Sequence, residues 1–143
     1  MSVEETLASV ELFSELTRKD LGRLVRATVP RSFKKGDVIV REGELGISFY
    51  VVAQGKVEVV KSLGSGHEVV VATHGPGGFF GEMALFDNQI RSASVRAAED
   101  CDCLVLTKWD FNAELNAPGS RIALAMLPIL ARRIRSLTDA ATH

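Results

Sequence analysis

Cysteine and histidine are scarce in this chain of 143 residues. The two cysteines, Cys101 and Cys103, sit two apart, and the three histidines, His67, His74 and His143, are scattered singly. That inventory supplies neither a disulfide framework nor a metal-ligand spacing, so the thiols read as reduced and wholly or partly buried. Long apolar runs are also missing: none approaches the roughly 20 residues that span a bilayer. The first stretch, MSVEETLASVELF, lacks the basic flank and apolar core of a secretory signal. A net charge of −1 leaves no field for a broad electrostatic grip on nucleic acid. These absences point to the cytoplasm, with no membrane and no direct nucleic-acid partner. A chain of this length buries roughly two-thirds of its unfolded surface and needs no staple, so a single domain spanning 1–143 is expected.

What is present follows two periods. Leu7, Val10 and Phe13 recur at helical spacing within residues 4–15. Thr17 followed by Asp20 resembles a capping box opening a second helix with Leu21, Leu24 and Val25 on its apolar side. From Val29 the period changes to two. Strands are expected at 31–34, 37–40, 48–52, 57–61, 68–73, 92–97 and 101–106, with glycine turns at Gly36, Gly55 and 63–67 between them. Short strands at this spacing indicate an all-β sandwich or barrel. A short helix is then expected over 109–115. Asn116 reads as the N-cap and Pro118 as a first-turn residue of a last helix running to about Ala141. Ile122, Met126, Leu130, Ile134 and Leu137 mark one side of it. Pro128 removes one hydrogen bond inside it. Arg132, Arg133 and Arg135 suit the C-terminal end of its dipole and read as a solvated face.

The stretch Gly75–Val95, GPGGFFGEMALFDNQIRSASV, carries the chemistry. Gly75, Gly77, Gly78 and Gly81 let backbone approach a ligand. Glu82-Met83-Ala84-Leu85 reads as one helical turn whose first N–H groups have no internal partner. After a polar loop of Asp87, Asn88 and Gln89, Arg91 offers a planar fork of donors to phosphate oxygens. Glu82 makes sense as an acceptor for neutral hydroxyls, partly balanced by Arg91, and Ser92 adds a hydroxyl. A sugar phosphate ester fits this set. For the glycines alone, a glycine-rich hairpin connection with a surface Glu–Arg pair is the better fit.

The order of the residues resembles a known pattern. Phe80-Gly81-Glu82-Met83-Ala84-Leu85, then a short loop, then Arg91-Ser92-Ala93-Ser94-Val95, is similar to the phosphate-binding cassette of the cyclic nucleotide-binding domain family. That family includes catabolite-activator-type regulators, regulatory subunits of cAMP-dependent protein kinase and cyclic-nucleotide-gated channels. EGELGISFYVVAQGKVEVV resembles its preceding strands. Ile90 departs from the pattern, where proline is common. The resemblance implies a mainly β fold: an eight-stranded jelly-roll β-barrel (a double-stranded β-helix) over 30–108, with helices over 4–29 and 109–140.

The same resemblance implies roles. The ligand is a cyclic 3′,5′-nucleotide. Arg91 holds the cyclic phosphate with the N–H groups of Met83, Ala84 and Ala93, while Glu82 and the Gly81 backbone hold the ribose 2′-hydroxyl. Val71 packs on the base, and Leu137 and Thr138 of the last helix are lid contacts. Ser92 fits either base, since serine after the arginine favours guanine in eukaryotic members but occurs in cAMP-responsive catabolite-activator-type proteins; cAMP is favoured over cGMP. No cofactor is implied. Occupancy shifts the population of two arrangements of the terminal helices. No helix-turn-helix, kinase or membrane-spanning pattern follows the last helix. Output is therefore expected to reach an effector protein or a further domain of a longer chain, and helix 118–138 is expected to pair with its copy in a homodimer. Three function classes remain: a sensor module; a barrel with a vestigial pocket serving protein interaction; and an enzyme using Glu82 with His74, disfavoured because no nucleophile is placed beside them.

Overall fold

In the computed structural model, which describes residues 2–88 and 90–142, strands β3 (Ser48–Gln54) and β8 (Cys101–Thr107) form the centre. Both are nearly continuous apolar runs because both of their faces are buried. Tyr50 and Val52 of β3, with Cys103 and Val105 of β8, face an inner core. Phe49 and Val51, with Leu104 and Leu106, face the helices instead. Alternation along each strand therefore serves two cores rather than separating core from water.

Two four-stranded antiparallel sheets enclose the inner core. One runs β1 (Val29–Phe33), β8, β3, β6 (Phe79–Phe80); the other runs β2 (Val38–Val40), β7 (Ser94–Ala97), β4 (Val57–Lys61), β5 (Val69–His74). This is the eight-stranded jelly roll, although the two sheets do not close into one continuous ladder. β1 and β2, adjacent in sequence, belong to different sheets. β6 is two residues long, too short to register as a strand in the sequence pattern.

The helices cover the outer face of the first sheet. α1 (Val3–Ala8) stops early and a separate 3-10 turn spans Glu11–Phe13, so residues 4–15 are not one helix. Thr17 Oγ1 accepts the Asp20 N–H at 3.1 Å and starts α2 (Arg18–Ala27), as its spacing predicts. Thr107 likewise accepts the Asp110 N–H at 3.2 Å at the start of α3 (Lys108–Leu115). The last helix, α4, spans Ile122–Thr142 with Pro128 inside it.

The expected cap of that last helix is corrected by the structure. Asn116 ends α3, and its side chain donates to the Asn112 carbonyl at 2.9 Å. The amide leading into α4, Arg121 N–H, donates to Asp20 Oδ2 at 3.0 Å, an acceptor supplied from α2. The buried side of α4 also differs from the expected stripe. Ile122, Met126 and Ile129 are buried, whereas Ile134 and Leu137 are exposed. The first half of α4 packs on the 3-10 turn and α3, and its later apolar residues lie beyond that contact.

Cys101 and Cys103 are both free and buried; burial pushes the Cys103 thiol up to about 12. Among the described residues no group of histidine, cysteine and carboxylate side chains is arranged to hold a metal, and no helix is long and apolar enough to cross a membrane.

Candidate functional site

β6 delivers the chain to Gly81, which adopts φ +79°, a left-handed conformation costly for any residue with a Cβ. The chain then enters a 3-10 turn, Glu82–Leu85. Ala84 and Leu85 are buried and anchor this turn, which leaves Glu82 half-buried and Met83 exposed. Phe86 continues the anchor by meeting the Phe111 ring edge-on, with centroids 5.7 Å apart.

Arg91 is held first through its backbone. Its N–H donates to the Glu44 carbonyl at 2.7 Å, and its carbonyl accepts the Gly43 N–H at 2.9 Å. The neighbouring Ile90 bridges Leu45. The side chain then lies in a slot between two glycines. A Cβ on Gly81 would sit 2.3 Å from Arg91 Nη1, and one on Gly46 would sit 2.9 Å from Arg91 Cζ. Arg91 Nη2 donates to the Ser48 carbonyl at 2.6 Å. Burial pushes the Arg91 pKa down, while Tyr50 and Glu82 nearby push it up. The guanidinium stays charged in any ordinary buffer.

Gly81, Glu82, Met83, Ala84, Arg91, Ser92 and Ala93 all line one cavity of about 360 Å³, with Val40, Val59 and Val95 as its apolar wall. Among the described residues, the N–H groups of Glu82, Met83 and Ala93 have no protein acceptor. Unpaired donors around a half-buried cation form a setting that an anion satisfies. The Ala84 N–H differs from the expectation: it already donates to the Gly81 carbonyl at 3.1 Å.

Three nominated residues lie elsewhere. Val71 is 54% exposed and does not line the cavity. It falls where the β4–β5 register shifts, between Ala72 opposite Val59 and Val70 opposite Val60, so it is the extra residue of a bulge. Leu137 is 72% exposed, and the Thr138 hydroxyl donates to the Ile134 carbonyl within its own helix at 3.0 Å. Gln89 lies outside the described residues.

The partner of Glu82 was not foreseen from the sequence. Its Oε1 lies 3.6 Å from Arg133 Nη1 of α4, and the Arg133 guanidinium stands 5.5 Å from the centre of the Phe79 ring. Arg133 is thus not part of a purely solvated basic face. No local signal in the sequence distinguishes it from Arg132 or Arg135, because the contact depends on how α4 is laid against the cassette. Gly46 and Ser48 were also missed as neighbours of Arg91.

Comparison with known proteins adds an independent line. A family model for the cyclic nucleotide-binding domain matches residues 30–117. Human cGMP-dependent protein kinase 2 is 38% identical over 109 residues, covering 74% of this chain and 14% of that protein. The cyclic AMP receptor protein of Thermus thermophilus is 36% identical over 124 residues, covering 87% of this chain and 57% of that protein. This chain therefore spans less than two-thirds of either curated relative. Among solved structures, the N-terminal domain of a transcriptional regulator from Streptomyces coelicolor A3(2) aligns with a TM-score of 0.87 at 32% identity, covering 95% of this chain and 94% of that one.

Proposed function

The chain belongs to the cyclic nucleotide-binding domain family, a family of regulatory modules, and we propose that it binds cAMP in preference to cGMP and passes occupancy to an effector through its terminal helices. The observation that carries this reading is the convergence of Arg91, three unpaired N–H groups and the Glu82 carboxylate on one cavity. The cyclic phosphate takes the free donors of Arg91 and the N–H groups of Met83 and Ala93. The Ala84 amide contributes only if its bond to Gly81 opens. The ribose 2′-hydroxyl donates to Glu82, beside Gly81. Ser92 borders the base or phosphate. The relatives divide on the base, with the cGMP-dependent kinase 38% identical over 109 residues and the cyclic AMP receptor protein 36% identical over 124. The preference for cAMP rests on Ser92, which is compatible with cAMP in catabolite-activator-type proteins.

Leu137 and Thr138 reach the base only in a second arrangement, in which α4 folds over the cavity. Val71, on β5 outside the cavity lining, is not brought to the base by that movement. The Arg133–Glu82 pair supports such coupling, since a hydroxyl arriving at Glu82 changes what α4 is tied to. Coupling of this kind is typically about 1–3 kcal/mol. We place the protein in the cytoplasm, where thiols such as Cys101 and Cys103 remain reduced.

Calorimetric titration tests the ligand. Saturable binding of both nucleotides is expected, with cAMP tighter. Absence of binding by either would instead favour a vestigial barrel that serves protein contacts. The exposed Leu127, Ile134 and Leu137 on α4 support a homodimer through this helix, whose observed span is Ile122–Thr142 rather than 118–138. Sedimentation equilibrium is expected to show a dimer that Leu137→Asp weakens; a monomer at all concentrations would exclude that interface.

A further inference from the structure

A second cation holds the exit of the cassette. Lys61, the last residue of β4, donates from Nζ to the Ser92 carbonyl. The same Nζ lies 3.9 Å from Glu42 Oε2. Glu42 is itself fixed: Oε1 accepts the Ser62 N–H at 3.1 Å, and its own N–H donates to Ser94 Oγ at 2.9 Å. Lys61 therefore sits in a network that ties the loop at Glu42 to the end of β4 and the start of β7.

Ser92 carbonyl and Ala93 N–H belong to one peptide unit, which is trans. In a trans amide the two groups point in opposite directions. Drawing the carbonyl toward Lys61 turns the Ala93 N–H to the opposite side, where no described protein group accepts it. Ala93 lines the cavity alongside Arg91. An ammonium on the carbonyl also polarises the amide and strengthens its N–H as a donor. Glu42 offsets the long-range field of Lys61, so the local hydrogen bond remains the main route by which it acts.

We propose that Lys61 is a positioning residue for ligand binding: by anchoring the Ser92 carbonyl it aims the Ala93 N–H at the anionic group of the ligand. The proposal rests on the reading of the cavity as a cyclic nucleotide site. It assigns a role to a residue that sequence patterning reads only as the polar end of a strand.

Lys61→Met keeps the aliphatic stem and removes the donor. Calorimetry with cAMP is expected to show affinity about fivefold weaker. The thermal midpoint should stay near wild type, because an exposed Lys–Glu pair contributes little to stability. In the ligand-free protein the Ala93 amide resonance should move. Lys61→Arg, which restores a donor, should recover most of the affinity. The loss should persist at high ionic strength, where long-range attraction is screened. A Lys61→Met protein that binds as wild type, an unmoved Ala93 amide, or a loss that vanishes in salt would each overturn the positioning role while leaving the site reading intact. A wild-type protein that binds no cyclic nucleotide would overturn the site reading and this role together.

Discussion

Arg91→Ala is expected to weaken cyclic nucleotide binding by about 2–5 kcal/mol, the range for removing one partner of a desolvated charge pair. The size follows from where the guanidinium lies. It is half-buried in a slot cleared by Gly46 and Gly81, and one of its nitrogens is committed to the Ser48 carbonyl. The remaining donors are already oriented before ligand arrives, so little ordering cost falls on binding. Arg91→Lys should recover only part of the loss, because an ammonium cannot serve the Ser48 carbonyl and a phosphate with the same planar fork. Circular dichroism should show both variants folded, since the Arg91 backbone bonds to Gly43 and Glu44 do not depend on its side chain. A dissociation constant for Arg91→Ala equal to that of wild type would remove this residue from the site.

Asp20→Ala is expected to destabilise the protein by about 3 kcal/mol, as for a buried ion pair that loses one member. Asp20 is only 2% exposed. Its Oδ1 lies 3.4 Å from Arg23 Nε, and its Oδ2 accepts the Arg121 N–H that leads into α4. Arg23 Nε is buried without a hydrogen bond, Nη2 donates to the Pro118 carbonyl at 3.1 Å, and Glu114 stands 4.0 Å from Nη1. Removing the carboxylate leaves that guanidinium with a distant counter-charge and α4 without its acceptor. Asp20→Asn keeps the acceptor and loses the charge, so it should lie between alanine and wild type. Chemical denaturation measures both, and an unchanged midpoint for Asp20→Ala would mean that α2 does not secure α4. Because α4 also carries Arg133 to Glu82, the same variant should loosen the link between cassette and helix.

Some of this was determined by the sequence alone. Caps act over three residues, so Thr17 with Asp20 announced the start of α2 by itself. The cassette was legible through its resemblance to a family pattern that is itself confined to one stretch. Gly81 through Ala84, and Arg91 through Ala93, lie within one short stretch whose turn and loop bring them to a common cavity. The apolar runs of β3 and β8 likewise announced strands, while their place at the centre came only from the structure.

The tertiary structure alone decided which distant residues complete these local pieces. Asn116 looked like the cap of the last helix, yet the acceptor came from Asp20 in α2. Glu82 found Arg133, and Ser92 found Lys61, through the placement of α4 and β4 rather than through any spacing. Val71 left the cavity because of a one-residue register shift between β4 and β5. A shift of one residue moves a side chain to the other face, and nothing local marks where it falls. Short-range periodicity and capping are written in adjacent residues, whereas strand register and helix docking emerge from the packing of two cores at once.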